Sequence, residues 1–212
     1  MEFKGAIFDI DGTLLDSMGV WYQVDVDFFK AYGREMPEDY STKVAQLGSW
    51  KTAEYTIELL GLSETPEQLI DIWNNMVREA YMTSIPLKPH AKEYLEWLKN
   101  NGVKLSIATA LFPDLYVPVL KKHGIYELFD AFISNGEMKL EKSSPKVYMA
   151  AAEQMEVEPC DCVVFEDIIA GIQGAKAAGM YAVAVADARC SCDRDALEKL
   201  ADRYIFDFAE MM

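Results

Sequence analysis

Five short, nearly unbroken apolar runs limit the fold of this chain more than any other feature. They lie at residues 4–9, 104–108, 131–134, 162–165 and 181–186. None alternates strictly between polar and apolar residues, so none reads as a strand with one wet face. Continuous runs suit parallel strands buried on both sides. Helix-length segments separate most of them, at residues 91–101, 114–123, 145–155 and 168–178. This β–α alternation predicts an α/β fold with a doubly wound parallel sheet.

Residues 16–86 break the rhythm, with helical patterns and no convincing strand. The clearest helix covers residues 66–81. Thr65 is placed to N-cap it, Pro66 takes the first helical position and Gln68 completes a capping box. Leu69, Ile72, Trp73, Met76, Val77 and Ala80 are then expected on its apolar face. Residues 16–32 and 51–60 are its expected helical partners. The chain is therefore expected to divide into an α/β core, residues 1–15 and 87–212, and an inserted all-helical unit, residues 16–86. The stretch Ile85-Pro86-Leu87-Lys88-Pro89 reads as the return linker.

Composition excludes some partners. The 212 residues are 51% apolar, enough for a substantial core, and 35 acids against 20 bases give a net charge of −15. Nucleic acid is not expected as a partner, because its affinity comes mostly from Lys and Arg. An anionic membrane surface is disfavoured for the same reason, and an anionic ligand would need local positive charge. The longest apolar run, residues 180–186, is far too short to span a bilayer. No apolar leader precedes the first run, so a cytoplasmic protein is expected, as a monomer or weak dimer. Cys160/Cys162 and Cys190/Cys192 form two C-x-C pairs. Metal and redox sites usually use C-x-x-C spacing, so four free thiols are expected.

Open parallel sheets bind ligands beyond the carboxyl ends of their strands. There the sequence places Asp9 and Asp11 after the first run, Thr109 after the second, and Glu166 and Asp167 after the fourth; Lys142 precedes a helix in "KLEKSSPK". Two carboxylates so close to a buried strand repel each other and resist ionisation unless something compensates. Asp9 with Asp167 and Glu166 makes a hard-oxygen set suited to Mg²⁺, and a cation lets neighbouring carboxylates stay ionised. A cation, an ammonium and a hydroxyl together define a phosphoryl pocket. No P-loop is present, so a nucleotide site of that kind is not expected. Singly, each residue has an ordinary reading: a turn at Asp11-Gly12-Thr13, a helix cap at Asp167, a strand end at Thr109, a solvated charge at Lys142. Jointly, those readings require four coincidences on one edge.

"FDIDGTLLDS" (residues 8–17) resembles the DxDGT motif of the haloacid dehalogenase (HAD) superfamily in its phosphatase form. "VFEDIIAGIQGAKAAGM" (residues 164–180) resembles the last motif of the group that includes phosphoglycolate phosphatases and β-phosphoglucomutase. The resemblance implies a Rossmann-like core with an inserted helical cap, and Mg²⁺-dependent hydrolysis of a small phosphorylated metabolite. By resemblance Asp9 is the nucleophile that becomes an aspartyl phosphate, and Asp11 is the acid/base whose backbone carbonyl also binds the metal. Thr109 and Lys142 hold the phosphoryl group, and Glu166 and Asp167 join Asp9 as metal ligands. The cap of such proteins reads the leaving group. Trp21, Tyr22 and segment 46–51, including Trp50 and Lys51, are candidate contacts, with the aromatic residues equally readable as core. Ala110, grouped with the substrate-binding positions, stands where family members often carry Asn. Glu141-Lys142-Ser143-Ser144-Pro145 replaces the frequent G-K-P-x-P, and Ile168 a frequent Ser. A β-phosphoglucomutase-type mutase and a catalytically weak regulatory protein are the rival readings. Mutase-like sequences tend to carry His where Trp21 stands, so water is the expected acceptor. Gly171 and Gly174, inside a helix, each cost about 1 kcal/mol relative to alanine, which implies close packing.

Overall fold

The computed structural model describes residues 3–44, 47–188 and 194–212. Strand β1 (Gly5–Phe8) is followed by helices α1 (Met18–Ala31), α2 (Tyr40–Val44), α3 (Ser49–Leu60), α4 (Pro66–Thr83) and α5 (Ala91–Asn100). Then come β2 (Lys104–Thr109), α6 (Pro113–Lys122), β3 (Ala131–Ser134), α7 (Pro145–Met155) and β4 (Cys162–Glu166). The chain ends with α8 (Ile169–Ala177), β5 (Tyr181–Val185), α9 (Arg194–Leu200) and β6 (Arg203–Ile205). Each of the five apolar runs contains a strand. The sequence reading missed β6, a three-residue edge strand in which Arg203 is exposed and Ile205 buried; it is too short to carry a pattern. It also missed the short helices α2 and α9.

The strands form one sheet in the order β3-β2-β1-β4-β5-β6, and every pairing is parallel. The chain winds outward from β1 to β3, then returns to lay β4 on the other side of β1. That reversal opens a crevice at the carboxyl ends of β1 and β4, where doubly wound sheets bind ligands. Both faces of the sheet are covered. Phe8, Ile107 and Phe165 join an apolar cluster that runs on into Phe28, Tyr40, Leu69 and Val77 of the helices after β1. Ile7, Val164, Ala151 and Ile172 belong to a second cluster on the opposite face. Among the described residues, no helix is long and apolar enough to cross a membrane.

The helical segment leaves and rejoins the sheet through two adjacent stretches of chain. Asp16 N donates to Pro86 O at 3.1 Å and Lys88 N to Leu14 O at 2.8 Å. Helix α4 starts with the expected capping box of Thr65 and Gln68, but its buried stripe is rotated from the expected one. Ile70, Asn74 and Tyr81 are buried with Leu69, Trp73 and Val77, whereas Met76 is exposed. The polar residues drawn inward, Asn74 and Tyr81, face a cavity and a carboxylate described below. Helix α4 is also tied to α6. Pro118 has no N–H for the carbonyl of Asp114 four residues earlier, and Arg78 Nη1 donates to that carbonyl instead at 3.2 Å. Arg78 Nη2 also pairs with the Asp114 carboxylate at 2.6 Å.

Cys162 is a buried free thiol at the start of β4, and Cys160 an exposed one. Cys190 and Cys192 lie outside the described residues.

Candidate active site

Asp9 follows β1 directly, and its backbone N–H donates to Phe165 O at 3.0 Å. This bond carries the β1–β4 pairing one step past the strand and holds Asp9 at the crevice. The next turn is closed by Leu14 N and Leu15 N, which both donate to Ile10 O at 2.9 and 2.8 Å. It sets Asp11 beside Asp9. Thr109 ends β2, the other neighbour of β1, and is buried. Glu166 ends β4 and Asp167 follows it; both are buried.

Lys142 arrives from the segment before α7. Its Nζ lies 2.5 Å from Asp9 Oδ1 and 2.5 Å from Glu166 Oε1. With 6% of its surface exposed, it is not a solvated charge. Two further contacts fix this group. Tyr148 of α7 donates its hydroxyl to Glu166 Oε1 at 2.9 Å. Helix α8 presses on the same residues: a Cβ at position 171 would lie 2.2 Å from Glu166 Cδ, and one at position 174 would lie 2.1 Å from the Lys142 carbonyl oxygen. The close packing expected of Gly171 and Gly174 is thus against the site itself. Asp167 is not the cap of α8, whose N-cap is Ile168; its Oδ1 accepts from Thr13 Oγ1 at 3.4 Å.

Asp9, Glu166 and Asp167 each bring one carboxylate oxygen within 4.8 Å of the others. Glu166 Oε2 is buried and has no hydrogen-bond partner among the described residues. Three carboxylates against the one Lys142 ammonium leave two negative charges, the charge a divalent cation supplies. With oxygen donors and no His or Cys in the cluster, the set fits a hard cation. The electrostatics agree. Burial raises the Asp9 carboxyl above its ordinary value although Lys142 pulls it down. Burial likewise pushes Glu166 up to about 7, again against Lys142. For Lys142 burial favours the neutral amine, but Asp9 and Glu166 outweigh it and hold the ammonium above the ordinary lysine range.

Asp11 sits in a different environment. Its Oδ1 accepts from Ser17 Oγ at 2.6 Å and from the Tyr81 hydroxyl. Tyr81 in turn accepts from Trp21 Nε1 at 2.9 Å. Burial raises the Asp11 carboxyl to about 6, opposed by these hydrogen bonds and assisted by the nearby charge of Asp9. Lys142 draws Asp9 towards its ionised form against burial, whereas Asp11 is held by the hydroxyls of Ser17 and Tyr81. Two carboxyls in such different environments are suited to different tasks.

These groups open into a cavity of about 270 Å³, lined by Asp9, Asp11, Thr109, Ala110, Lys142 and Asp167 from the sheet edge and by residues of α1–α4. Trp21 and Tyr22 also line it. Trp50 and Lys51 do not. Trp50 donates to Glu54 at 3.0 Å and lies under Lys139, 4.3 Å from the ring centroid. Lys51 pairs with Glu141. Of segment 46–51, Leu47, Gly48 and Ser49 reach the cavity, and Gln46 lies outside the described residues. Sequence reasoning missed Tyr81, Tyr148 and Asp25. Tyr81 was available as a position on the periodic face of α4; nothing local marked the others.

The family model for haloacid dehalogenase-like hydrolases matches residues 6–185. The fructose-1-phosphate phosphatase YqaB of Escherichia coli strain K12 is 32% identical over 192 residues, covering 87% of this chain and 97% of its own. A solved β-phosphoglucomutase from Clostridium difficile superposes with a TM-score of 0.82 at 21% identity, over 99% of this chain and 93% of that one. A family IA, variant 3 hydrolase from Entamoeba histolytica superposes with a TM-score of 0.85 at 23% identity, over 99% and 95%. The family match spans every strand that carries a site residue, and on that ground the chain belongs to the haloacid dehalogenase-like hydrolases.

Proposed function

We propose that this enzyme is a Mg²⁺-dependent phosphomonoesterase that hydrolyses a small phosphorylated metabolite in the cytoplasm through an aspartyl-phosphate intermediate. In this reading residues 16–86 are the cap, and residues 1–15 with 87–212 are the core. The observation that carries it is the meeting of Asp9, Glu166 and Asp167 around one point, with Lys142 bridging Asp9 and Glu166 at 2.5 Å.

Asp9 is the nucleophile. Lys142 draws it towards the ionised form against burial, and a carboxylate oxygen attacks phosphorus as the bond to the leaving oxygen breaks. Asp11 donates its proton to that leaving oxygen. Ser17 and Tyr81 occupy Asp11 Oδ1, so the transferable proton sits on Oδ2. Asp11, now ionised, takes a proton from water as the water attacks the aspartyl phosphate, and phosphate leaves. Thr109 and Lys142 position the phosphoryl oxygens, which is most of what this chemistry requires. Asp9, Glu166 and Asp167 would hold Mg²⁺, with the Asp11 carbonyl as a further ligand, and the bound ion would neutralise charge on the transferring group. Trp21 favours hydrolysis over a mutase. Its one hydrogen-bond donor is committed to Tyr81, and an indole relays no proton at neutral pH.

The test is phosphate release from a panel of phosphomonoesters with Mg²⁺ and with a chelator. Asp9→Asn should lower turnover by about 10⁴-fold or more, as loss of a catalytic nucleophile does. Activity that survives the substitution or the chelator rules the mechanism out.

A further inference from the structure

The two carboxylate oxygens of Glu166 are treated differently by the fold. Oε1 accepts from Lys142 Nζ at 2.5 Å and from the Tyr148 hydroxyl at 2.9 Å. Oε2 is buried and accepts from nothing among the described residues. A carboxylate oxygen has two lone pairs, so two donors fill Oε1 and leave Oε2 for a cation. The carboxyl is not free to turn and exchange its oxygens. A Cβ at position 171 would lie 2.4 Å from Oε2 and 2.6 Å from Oε1, so the backbone of α8 closes over the group. The same helix holds the Tyr148 ring: a Cβ at position 174 would lie 2.6 Å from its Cε2. Tyr148 is itself fully buried. Lys142 divides its ammonium between Glu166 and Asp9, whereas the Tyr148 hydroxyl bonds Glu166 alone among the described residues.

We propose that Tyr148 is a positioning residue that restricts Glu166 to one oxygen and so sets the acidic site for Mg²⁺ against Ca²⁺. The proposal rests on the metal site of the phosphomonoesterase reading and adds the residue that chooses the ion. The two ions ask for different things. Ca²⁺ gathers about six to eight oxygens and readily takes both from one carboxylate. Mg²⁺ is smaller, demands near-octahedral geometry and keeps several of its waters. Mg²⁺ also gives up water reluctantly, so a cluster of freely turning carboxylates favours Ca²⁺. With Oε1 filled, Glu166 withholds the second oxygen from which Ca²⁺ gains, and withholds nothing that Mg²⁺ uses. Removing the Tyr148 hydroxyl returns a lone pair to Oε1 and frees the carboxyl to offer both oxygens.

The experiment is calorimetric titration of the protein with MgCl₂ and with CaCl₂, with no substrate present. The parent is expected to bind Mg²⁺ more tightly than Ca²⁺ by about tenfold or more. Tyr148→Phe keeps the ring and removes the hydroxyl; it should shrink that ratio by about tenfold, the scale on which partners of metal ligands act. Tyr148→Met, an adaptable apolar replacement, reads the same ratio should the Phe form fold poorly. A packing defect would weaken both ions alike and leave the ratio unchanged; that result overturns the proposal. A parent that binds Ca²⁺ as tightly as Mg²⁺, or binds neither ion, overturns it without any substitution. An enzyme that releases phosphate under Mg²⁺ but whose ion ratio ignores Tyr148 would overturn this proposal alone. A protein inert towards every phosphomonoester, whose ratio still falls in Tyr148→Phe, would sink the phosphomonoesterase reading alone and uphold this one.

Discussion

Asp9 and Asp25 line the same cavity from opposite sides, and they are held in opposite ways. Asp9, at the sheet edge, lies 2.5 Å from the Lys142 ammonium. Asp25, on α1, has no hydrogen-bond partner among the described residues, and burial alone pushes its carboxyl up to about 7. The core side of the cavity fixes its charges in place but leaves a net negative set for a cation: Lys142 joins Asp9 to Glu166, and Tyr148 and the glycines of α8 hold that group. The cap side leaves its polar groups open. In the proposed reading the difference follows from two tasks. A phosphoryl group is the same in every substrate, so its site can be held rigid before binding. A leaving group varies, and what reads it must have unspent hydrogen-bonding capacity.

The contrast can be broken at four points. The largest effect is expected on the core side, from Asp167→Asn. Removing a charged oxygen from the metal site should raise the Mg²⁺ concentration for half-maximal rate by about 10–100-fold. Rate measured against Mg²⁺ decides it; an unchanged curve would detach Asp167 from the metal.

Next comes the junction of the two sides, where Tyr81 of α4 donates to Asp11. Tyr81→Phe should slow alkyl phosphates, which need a proton on the leaving oxygen, by about tenfold more than p-nitrophenyl phosphate, which does not. Equal slowing of both would reduce Tyr81 to a packing residue.

The third test concerns stability on the cap side. In the unfolded chain Asp25 titrates near 3.8, and in the native protein burial raises it to about 7. Between those values the native state binds the extra proton, so the carboxyl's contribution to stability is full below about 4 and is lost as pH rises towards 7. Asp25→Asn carries no such penalty. Its stability relative to the parent should rise from pH 4 to pH 8 by on the order of 1 kcal/mol, because water in the cavity screens a half-buried charge. Urea melts at the two pH values measure this, and a pH-independent difference would show that Asp25 is not strained.

The smallest effect is expected at the rim. Lys51 and Glu141 are paired across the cap–core boundary, but their side chains are 54% and 43% exposed. Lys51→Ala should change KM by less than about twofold, because solvent and salt screen such a pair. A larger change, lost at high ionic strength, would make the pair a latch on the cap.

The sequence by itself carried the strand positions, the class of fold and the chemistry of the sheet edge. Buried parallel strands must be apolar throughout, and their carboxyl ends must lie on one edge, so Asp9, Thr109, Glu166 and Asp167 could be placed together from local pattern alone. Tertiary structure alone decided which side chains meet across distance. Tyr81 reaches Asp11 from seventy positions away, Tyr148 supports Glu166 from the preceding helix, and Trp21 bonds Tyr81 rather than serving only as core. It also turned Met76 out and Asn74 in, took Lys51 and Trp50 off the cavity, and left Asp25 on it. Periodicity along a helix says that one face is buried. It does not say how that face is rotated against its neighbours, because that rotation is fixed by the shapes of the surfaces it packs on.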